Sequence, residues 1–162
     1  MIVSDQAEAA APETAHALVI TRILDAPRSL VFKVWTQPEH MVRWLGPKDF
    51  TAHSARLDLR PGGAWSARIV SPQGKEYGMG GAYREVAAPE RLVFTFAWDE
   101  NGERGHETLV SVSFAERDGR TELTFHQTGF ETLESRDGHH GGWSECFGRL
   151  AAYLDQGIGG AA

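Results

Sequence analysis

The fold is decided by residues 107–128, which read ETLVSVSFAERDGRTELTFHQT. Apolar and polar side chains alternate on both sides of Asp118-Gly119, the favoured pair for a two-residue type I′ turn between antiparallel strands. With this turn, like side chains face one another across the hairpin: Arg117 and Arg120, Phe114 and Leu123, Val112 and Phe125, Val110 and Gln127, Ser113 and Thr124, and Ser111 and His126. A slip by one residue would mix the two faces, so the turn and the alternation together predict a single register. This register places Thr108 and Gln127 on the inner face as the polar side chains near that end.

The alternation with a period of two begins well upstream of this hairpin. It predicts strands at 50–59, 64–70, 77–86, 92–98, 107–116 and 121–128, separated by short segments with turn chemistry such as Pro61-Gly62-Gly63 and Asn101-Gly102. Connections this short join only antiparallel neighbours. Together with a β-rich run at 17–24, these segments predict seven strands in one curved, meandering sheet.

Two short helices are predicted between the first two strands. Pro27 suits the first turn of a helix with an apolar stripe formed by Leu30, Val31, Val34 and Trp35. Pro38 then begins a second short helix, which carries Met41, Trp44 and Leu45 and ends at Gly46-Pro47.

A long helix is predicted at 133–156, where Trp143, Phe147, Leu150 and Leu154 recur at helical spacing. At about 1.5 Å per residue it would be roughly 36 Å long, so it must cross the whole molecule. Its first half is intrinsically weak, because each of three glycines costs about 0.5–1 kcal/mol relative to alanine. These glycines are Gly138, Gly141 and Gly142.

The composition limits the class of protein. The chain has 162 residues, a formal net charge of −6 and 41% hydrophobic residues, which fits one globular domain and no membrane span. The acidic balance argues against a nucleic-acid partner, and the single cysteine, Cys146, excludes an internal disulfide. We expect a disordered or loosely ordered tail at 1–16, one domain at 17–157 and a frayed C-terminus at 158–162. Since the first residues lack the features of a signal peptide, we also expect a cytoplasmic location.

Several stretches carry, in their order, a resemblance to a known family. They are Ala26-Pro27 with Val34-Trp35, Trp44-Leu45-Gly46-Pro47, Leu59-Arg60-Pro61-Gly62-Gly63, Gly81-Ala82-Tyr83-Arg84-Glu85-Val86, Pro89-Glu90-Arg91-Leu92-Val93-Phe94-Thr95, and Gly142-Trp143 with Leu150, Tyr153 and Leu154. They span nearly all of residues 17–156 and are similar to the AHSA1-like family, which is related to the activator of the Hsp90 ATPase. That family is part of the START/Bet v 1-like (SRPBCC) superfamily.

The resemblance implies an α+β helix-grip (Bet v 1-like) fold. In that fold a curved seven-stranded antiparallel sheet grips a long C-terminal helix, and two short helices lie between strands 1 and 2. This chain departs from the family at Leu45, where many relatives carry a second tryptophan, and at the glycine-rich segment 138–142. Both departures bear on the shape of any cavity between the sheet and the helix.

A sheet whose concavity is wider than one helix leaves space beside that helix, and such pockets are mainly apolar. The residues predicted to bind a ligand are Trp44, Trp65, Met79, Phe94, Phe96, Trp98, Thr108, Val110, Val112, Phe125, Gln127, Trp143 and Phe147. Among them we expect Trp44 and Trp65 to close an entrance, and a ligand's polar end to meet Gln127, Thr108 or a tryptophan N–H. The alternative is that these aromatic side chains form a filled hydrophobic core, as aromatic stripes usually do. The support for a cavity comes mainly from the resemblance to the family.

No catalytic residue, metal site or cofactor is predicted. His139 and His140 would point about 100° apart on a helix and no His-x-x-x-His pair exists, so the histidines are interpreted as solvated surface residues. The glycine-rich stretch 78–81 lies within a strand pattern and is expected to permit a bulge or a close approach of the final helix. Carboxylates that could act as a general base are expected on the surface instead: Glu76, Glu85 and Glu107.

Three functional hypotheses follow. The first is a protein that binds a hydrophobic or amphipathic small molecule, with a stress-related role implied by the resemblance. The second is a module that interacts with an Hsp90-type chaperone, although the eukaryotic activators carry an additional N-terminal domain for which 162 residues leave no room. The third is a cyclase- or hydrolase-like enzyme using the same cavity, which ranks below binding because no convergent acid–base pair is visible. The chain is expected to be a monomer or a homodimer.

Overall fold

The computed structural model describes residues 16–157. In chain order the elements are β1 (Ala17–Leu24), α1 (Arg28–Thr36), α2 (Pro38–Met41), β2 (Thr51–Leu57), β3 (Ala64–Val70), β4 (Glu76–Ala87), β5 (Arg91–Glu100), β6 (Glu103–Arg104), β7 (Thr108–Arg117), β8 (Arg120–Thr128) and α3 (Leu133–Leu154). The predictions for residues 1–15 and 158–162 lie outside the described residues.

All the strands belong to one antiparallel sheet. Its order is β1-β8-β7-β5-β4-β3-β2, and β6 pairs with β5 off this path. The predicted helix-grip fold is confirmed, with β6 as a two-residue addition to the seven predicted strands. This strand forms because Asn101 and Gly102 both adopt a positive φ and close a two-residue turn. An ion pair of 2.9 Å between Asp99 and Arg104 joins the two strands beside that turn.

The register predicted for the β7–β8 hairpin is confirmed at every pair. Phe114 lies opposite Leu123, and Val110 opposite Gln127. Asp118 has a φ of 55° and Gly119 a φ of 81°, as a type I′ turn requires. The hairpin therefore presents Val110, Val112, Phe114, Leu123 and Phe125 to the interior, each no more than 1% exposed.

The helices match the sequence pattern with one correction. The second helix, α2, ends at Met41, and Trp44 and Leu45 follow it in a turn in which both amide N–H groups donate to the Met41 carbonyl. The long helix α3 has 22 residues and is about 33 Å long. The hydroxyl of Thr132 caps it by accepting a hydrogen bond from the Ser135 amide at 3.0 Å.

The C-terminal half of α3 packs directly onto the sheet. The ring of Phe147 lies 5.2 Å from that of Phe125 and 6.0 Å from that of Trp35 on α1, measured between ring centroids. Trp35 in turn lies 4.8 Å from Trp44. These side chains are almost wholly buried and form a filled core at this end of the helix.

The glycine-rich stretch of β4 allows the backbones of the neighbouring strands β3 and β5 to approach closely. A Cβ atom on Gly80 would lie 2.5 Å from the backbone oxygen of Trp65 on β3, and one on Gly81 would collide with the backbone of Thr95 on β5. The strand's bulge lies further along, between Tyr83 and Glu85. The expected close approach of the final helix to these glycines is therefore wrong.

Candidate functional site

A cavity of about 340 Å³ lies between the N-terminal half of α3 and the sheet. Its walls come from the loop after α2, from β3, β4 and β5, and from α3. They are formed by Leu45, Gly46, Pro47, Ile69, Met79, Phe96, Trp98, Ser135, Gly138, His139, Gly142, Trp143 and Cys146. The surface they present is almost entirely apolar, and the volume falls in the usual range of small-molecule sites.

The cavity exists because the helix lacks side chains where it passes over the sheet. The α3 residues in the wall recur at helical spacing and form one stripe: Ser135, Gly138, His139, Gly142, Trp143 and Cys146. A Cβ atom added to Gly138 would meet no atom within 4 Å, and one added to Gly142 would meet only the Pro47 ring, at 3.9 Å. The two glycines therefore hold open a space that larger residues would fill.

The opposite wall is aromatic. The ring of Phe96 on β5 stands edge-on to that of Trp98, at 5.4 Å between centroids, and to that of Trp143, at 5.9 Å. Met79 on β4 and Ile69 on β3 complete this side of the cavity. A guest molecule would thus lie between a glycine-bearing helix face and a group of rings.

His139 is part of the cavity wall. The indole N–H of Trp98 donates to its Nε2 atom at 2.8 Å, and its Nδ1 atom donates to the Ser135 carbonyl, also at 2.8 Å. Burial lowers the pKa of His139 below its ordinary value, although the hydrogen bond to Ser135 acts in the opposite direction. The interpretation of the histidines as solvated surface groups is wrong for this residue. Its position four residues before Trp143, on the same helix face, is the signal that could have identified it.

The inner-face polar residues form a closed network. The Trp143 indole N–H donates to Gln127 Oε1 at 2.9 Å, Gln127 Nε2 donates to the Thr108 hydroxyl at 2.8 Å, and that hydroxyl donates to the Phe96 carbonyl at 3.1 Å. Gln127 is completely buried. These groups already satisfy one another, so a ligand's polar end would have to replace one of these hydrogen bonds to meet them, and the expected contact stays a prediction.

The loop that follows α2 closes one side of the cavity and is fastened to α3. The Arg149 guanidinium donates to the carbonyls of Gly46 at 2.9 Å and Pro47 at 3.1 Å, with a longer contact to Leu45. The Gly46 amide donates to Cys146 Sγ at 3.2 Å, and burial raises the pKa of this thiol to about 12. A thiol with that pKa stays protonated at neutral pH and is a poor nucleophile.

The residues predicted to bind a ligand fall into four groups. Met79, Phe96, Trp98 and Trp143 line the cavity. Trp44, Trp65 and Phe94 surround an inner space of about 20 Å³, and Thr108 lines a side pocket of about 100 Å³ next to His139. The others are buried core residues outside this wall: Val110, Val112, Phe125, Gln127 and Phe147.

Trp44 and Trp65 do not close an entrance, because both are buried. Their indole N–H groups donate to backbone carbonyls, that of Trp44 to Val34 at 3.0 Å and that of Trp65 to Thr95 at 2.8 Å. Sequence analysis also missed much of the wall, namely Leu45, Gly46, Pro47, Ile69, Ser135, Gly138, His139, Gly142 and Cys146. Only the departures at Leu45 and at 138–142 had pointed to part of it.

Within residues 16–157, no group of three or more His, Cys, Asp or Glu side chains could hold a metal ion. The carboxylates considered as general bases lie away from the cavity wall, and two of them form ion pairs with arginines. Glu76 pairs with Arg68 at 2.9 Å and Glu85 with Arg91 at 3.2 Å. Over the same residues, no helix is long and apolar enough to span a membrane.

Comparison with known proteins places the chain among structural relatives. A family model described as activator of Hsp90 ATPase homolog 1-like protein matches residues 25–155. No curated protein is significantly similar in sequence.

Solved structures with the same fold include three bacterial proteins. The AHSA1 protein of Silicibacter pomeroyi is 24% identical, with a TM-score of 0.79 over 86% of this chain and 98% of that one. A protein of Nitrosomonas europaea is 25% identical, with a TM-score of 0.76 over 89% and 97%. A protein of Arthrobacter aurescens is 22% identical, with a TM-score of 0.80 over 88% of each chain.

Proposed function

The chain belongs to the family of activator of Hsp90 ATPase homolog 1-like proteins, and on this premise we propose that it binds a small apolar organic molecule in the cavity beneath α3. The observation that carries the proposal is the open space of about 340 Å³ between Gly138, Gly142 and Trp143 on the helix and Phe96 and Trp98 on the sheet. Side chains that filled this space would stabilise the fold, because they would remove the apolar wall from water. A space that the protein holds open at this cost is well explained by a guest.

The chemistry of the wall favours binding over catalysis. His139 is the wall residue best suited to proton transfer, and the enzyme hypothesis called for such a histidine with a shifted pKa in the cavity. Both of its ring nitrogens are already engaged, one by Trp98 and one by Ser135. Proton transfer through His139 would have to break one of these bonds, and no carboxylate belongs to the wall to act as its partner.

Ligand binding can be tested on the intrinsic fluorescence of the protein, since two tryptophans line the cavity. The purified chain is titrated with naphthalene, biphenyl, decanol and decanoic acid while tryptophan emission and the melting temperature are recorded. We expect at least one compound to change the emission, and to stabilise the fold by about 2.7 kcal/mol at a free concentration of 100 times its Kd. No response to any of the compounds would contradict the proposal.

A pair of glycine variants locates the binding. Gly138 belongs to the cavity wall and Gly141 does not, although both are exposed on the same helix and an added Cβ atom at either would meet no atom within 4 Å. Gly138→Leu therefore adds a side chain at the cavity, and Gly141→Leu adds the same side chain away from it. Both variants gain helix propensity, so both should fold. We expect Gly138→Leu to weaken binding at least tenfold and Gly141→Leu to bind like the wild type. Equal binding by the two variants would place the ligand elsewhere.

The chaperone hypothesis and the cytoplasmic location stay predictions. The first is tested by adding the purified chain at saturation to an Hsp90-type ATPase and measuring ATP turnover. Unchanged turnover would remove a stimulatory role.

A further inference from the structure

From the polarity and shape of this cavity we infer that its ligand is a neutral, planar aromatic molecule of about two rings that makes no hydrogen bond to the protein. This inference rests on the proposed function and narrows it to one chemical class. It depends on three features of the wall: the use of its polar atoms, its size and the arrangement of its rings.

Apart from the Ser135 hydroxyl, the side-chain polar groups of the wall are already used within the protein. Trp98 and Ser135 occupy the two nitrogens of His139, and Gln127 accepts from the Trp143 indole. Cys146 Sγ accepts from the Gly46 amide. The remaining polar side chain of the wall, Ser135, lies where the cavity adjoins the side pocket lined by Glu100 and Glu131.

The backbone of the wall is satisfied as well. Arg149 donates hydrogen bonds to the carbonyls of Gly46 and Pro47 in the loop. Gly138 and Gly142 lie within the hydrogen-bonded helix α3. Away from the Ser135 end of the cavity, a ligand hydroxyl or carboxylate would thus lose its water without gaining a partner. For an unpaired hydroxyl, this loss weakens binding by about tenfold or more.

The volume limits the ligand to about two rings. An apolar cavity of about 150 Å³ in another protein holds one benzene molecule. A cavity of about 340 Å³ has room for a little more than twice that volume. Naphthalene and biphenyl are of this size.

The arrangement of the walls favours a flat aromatic guest. Gly138 and Gly142 lie one turn apart on the same helix face and offer backbone in place of side chains. Phe96 and Trp98 on the sheet, together with Trp143 on the helix, offer ring faces and edges, and aromatic pairs gain stabilisation beyond area burial in offset or edge-to-face geometry. The sulfur atoms of Met79 and Cys146 add further favourable contacts to a ring.

The test compares four bicyclic probes with the purified chain: naphthalene, decalin, 2-naphthol and 2-naphthoate. Dissociation constants come from tryptophan fluorescence or calorimetry at pH 7.5. We expect naphthalene to bind at least about tenfold tighter than 2-naphthol, decalin to bind several-fold weaker than naphthalene, and 2-naphthoate to show no saturable binding. The inference is overturned if 2-naphthol, 2-naphthoate or decalin binds as tightly as naphthalene.

A variant tests the role of the internal hydrogen bonds directly. Trp98→Phe removes the donor to His139 Nε2, so the ring gains a free acceptor that a ligand hydroxyl can use. We expect the affinity ratio of naphthalene to 2-naphthol to fall from at least about ten to about one. Phe96→Leu is the control, because it removes an aromatic ring without freeing a side-chain polar atom, and it should keep the ratio. An unchanged ratio in Trp98→Phe would contradict the inference.

The outcomes separate this inference from the proposed function. If decanol or decanoic acid binds and naphthalene does not, the aromatic assignment is wrong and the proposed function stands. If none of the probes binds, both are wrong.

Discussion

Among single residues, His139 links the chemistry of the cavity to the stability of the fold. It is held neutral in the wall, with Nε2 accepting from Trp98 and Nδ1 donating to Ser135. Protonation would place two N–H groups on the ring, and the one at Nε2 would oppose the Trp98 N–H. The lowered pKa of His139 is caused first by its burial.

This arrangement predicts a pH dependence of stability with a definite sign. In the unfolded chain a histidine titrates near pH 6.5, and in the folded chain the pKa of His139 lies lower, so the unfolded state binds more protons between the two values. The contribution of His139 is therefore complete above pH 6.5 and is lost as the pH falls through the folded pKa. Urea denaturation between pH 7.5 and 5 should show a larger loss for the wild type than for His139→Gln. His140→Gln, at an exposed neighbour, is the control and should follow the wild type.

Gln127 is the residue on which the buried polar network depends. Replacement by leucine removes the acceptor for the Trp143 N–H and the donor to Thr108. Since a buried donor without a partner costs about 1–3 kcal/mol, we expect Gln127→Leu to lower the free energy of unfolding by that amount. Trp143→Phe removes the unpaired donor, so the double variant should be less destabilised than the sum of the single variants. Strictly additive effects in urea denaturation would contradict the network.

At the residue scale, the sequence predicted which side chains face the interior more readily than it predicted which of them line the cavity. Phe96, Trp98 and Trp143 lie in the cavity wall as expected. Gly138 and Gly142 create the space because they have no side chain. A pattern of hydrophobic residues predicts where side chains pack and does not predict where a space is left. His139 carries no signal of a metal pair or an acid–base partner in the sequence, because its partners are an indole 41 residues away and a backbone carbonyl.

Among the elements, α3 has two halves with different tasks. Its glycine-bearing N-terminal half spans the cavity, and its C-terminal half fills the core through Phe147 and Leu150. Its polar groups also hold the loop after α2, where Lys48 donates its amide to Glu145 Oε1 at 3.0 Å and Arg149 binds the carbonyls of Gly46 and Pro47. The helix thereby fixes the part of the wall that belongs to no regular element.

The Arg149 contacts predict a measurable cost for this loop. Arg149→Leu removes charge-assisted hydrogen bonds to two carbonyls, of which that of Pro47 keeps the amide of Phe50 as a partner and that of Gly46 loses its bond to the guanidinium. We expect the free energy of unfolding to fall by about 1.5–3 kcal/mol. Arg120→Leu, at an exposed turn position, is the matched control and should change stability by less than about 0.5 kcal/mol. Equal stability of the two variants would show that the Arg149 hydrogen bonds contribute nothing to the free energy of unfolding.

Elements with a local signal were predictable, and those that depend on distant contacts were not. The β7–β8 hairpin was predictable to the residue because Asp118-Gly119 and the alternation set the same register. Strand β6 was missed since two residues carry no pattern, and α2 proved shorter than expected because the chain turns at Trp44 and Leu45. The wall at 45–47 is set by Cys146 and Arg149, about 100 residues further along the chain.

For the whole molecule, the fold followed from the order of the elements, whereas the position of the cavity did not. The alternation predicted which strand side chains face inward, and Val110, Val112 and Phe125 do so. It could not tell which stretch of the helix lies over each of them. Phe147 in the C-terminal half of α3 packs on Phe125, and the open space lies instead toward Gly138 and the end of β5.

The central claim is that this space stays open and accepts an apolar guest, and a crystal of the chain under xenon pressure tests it most directly. Apolar cavities that stay dry take up xenon. We predict xenon density between Gly138, Gly142 and the rings of Phe96, Trp98 and Trp143, and none there in Gly138→Leu crystals. A wild-type crystal in which Leu45, Trp98 and Trp143 close onto the helix and leave no xenon at this position would contradict the claim.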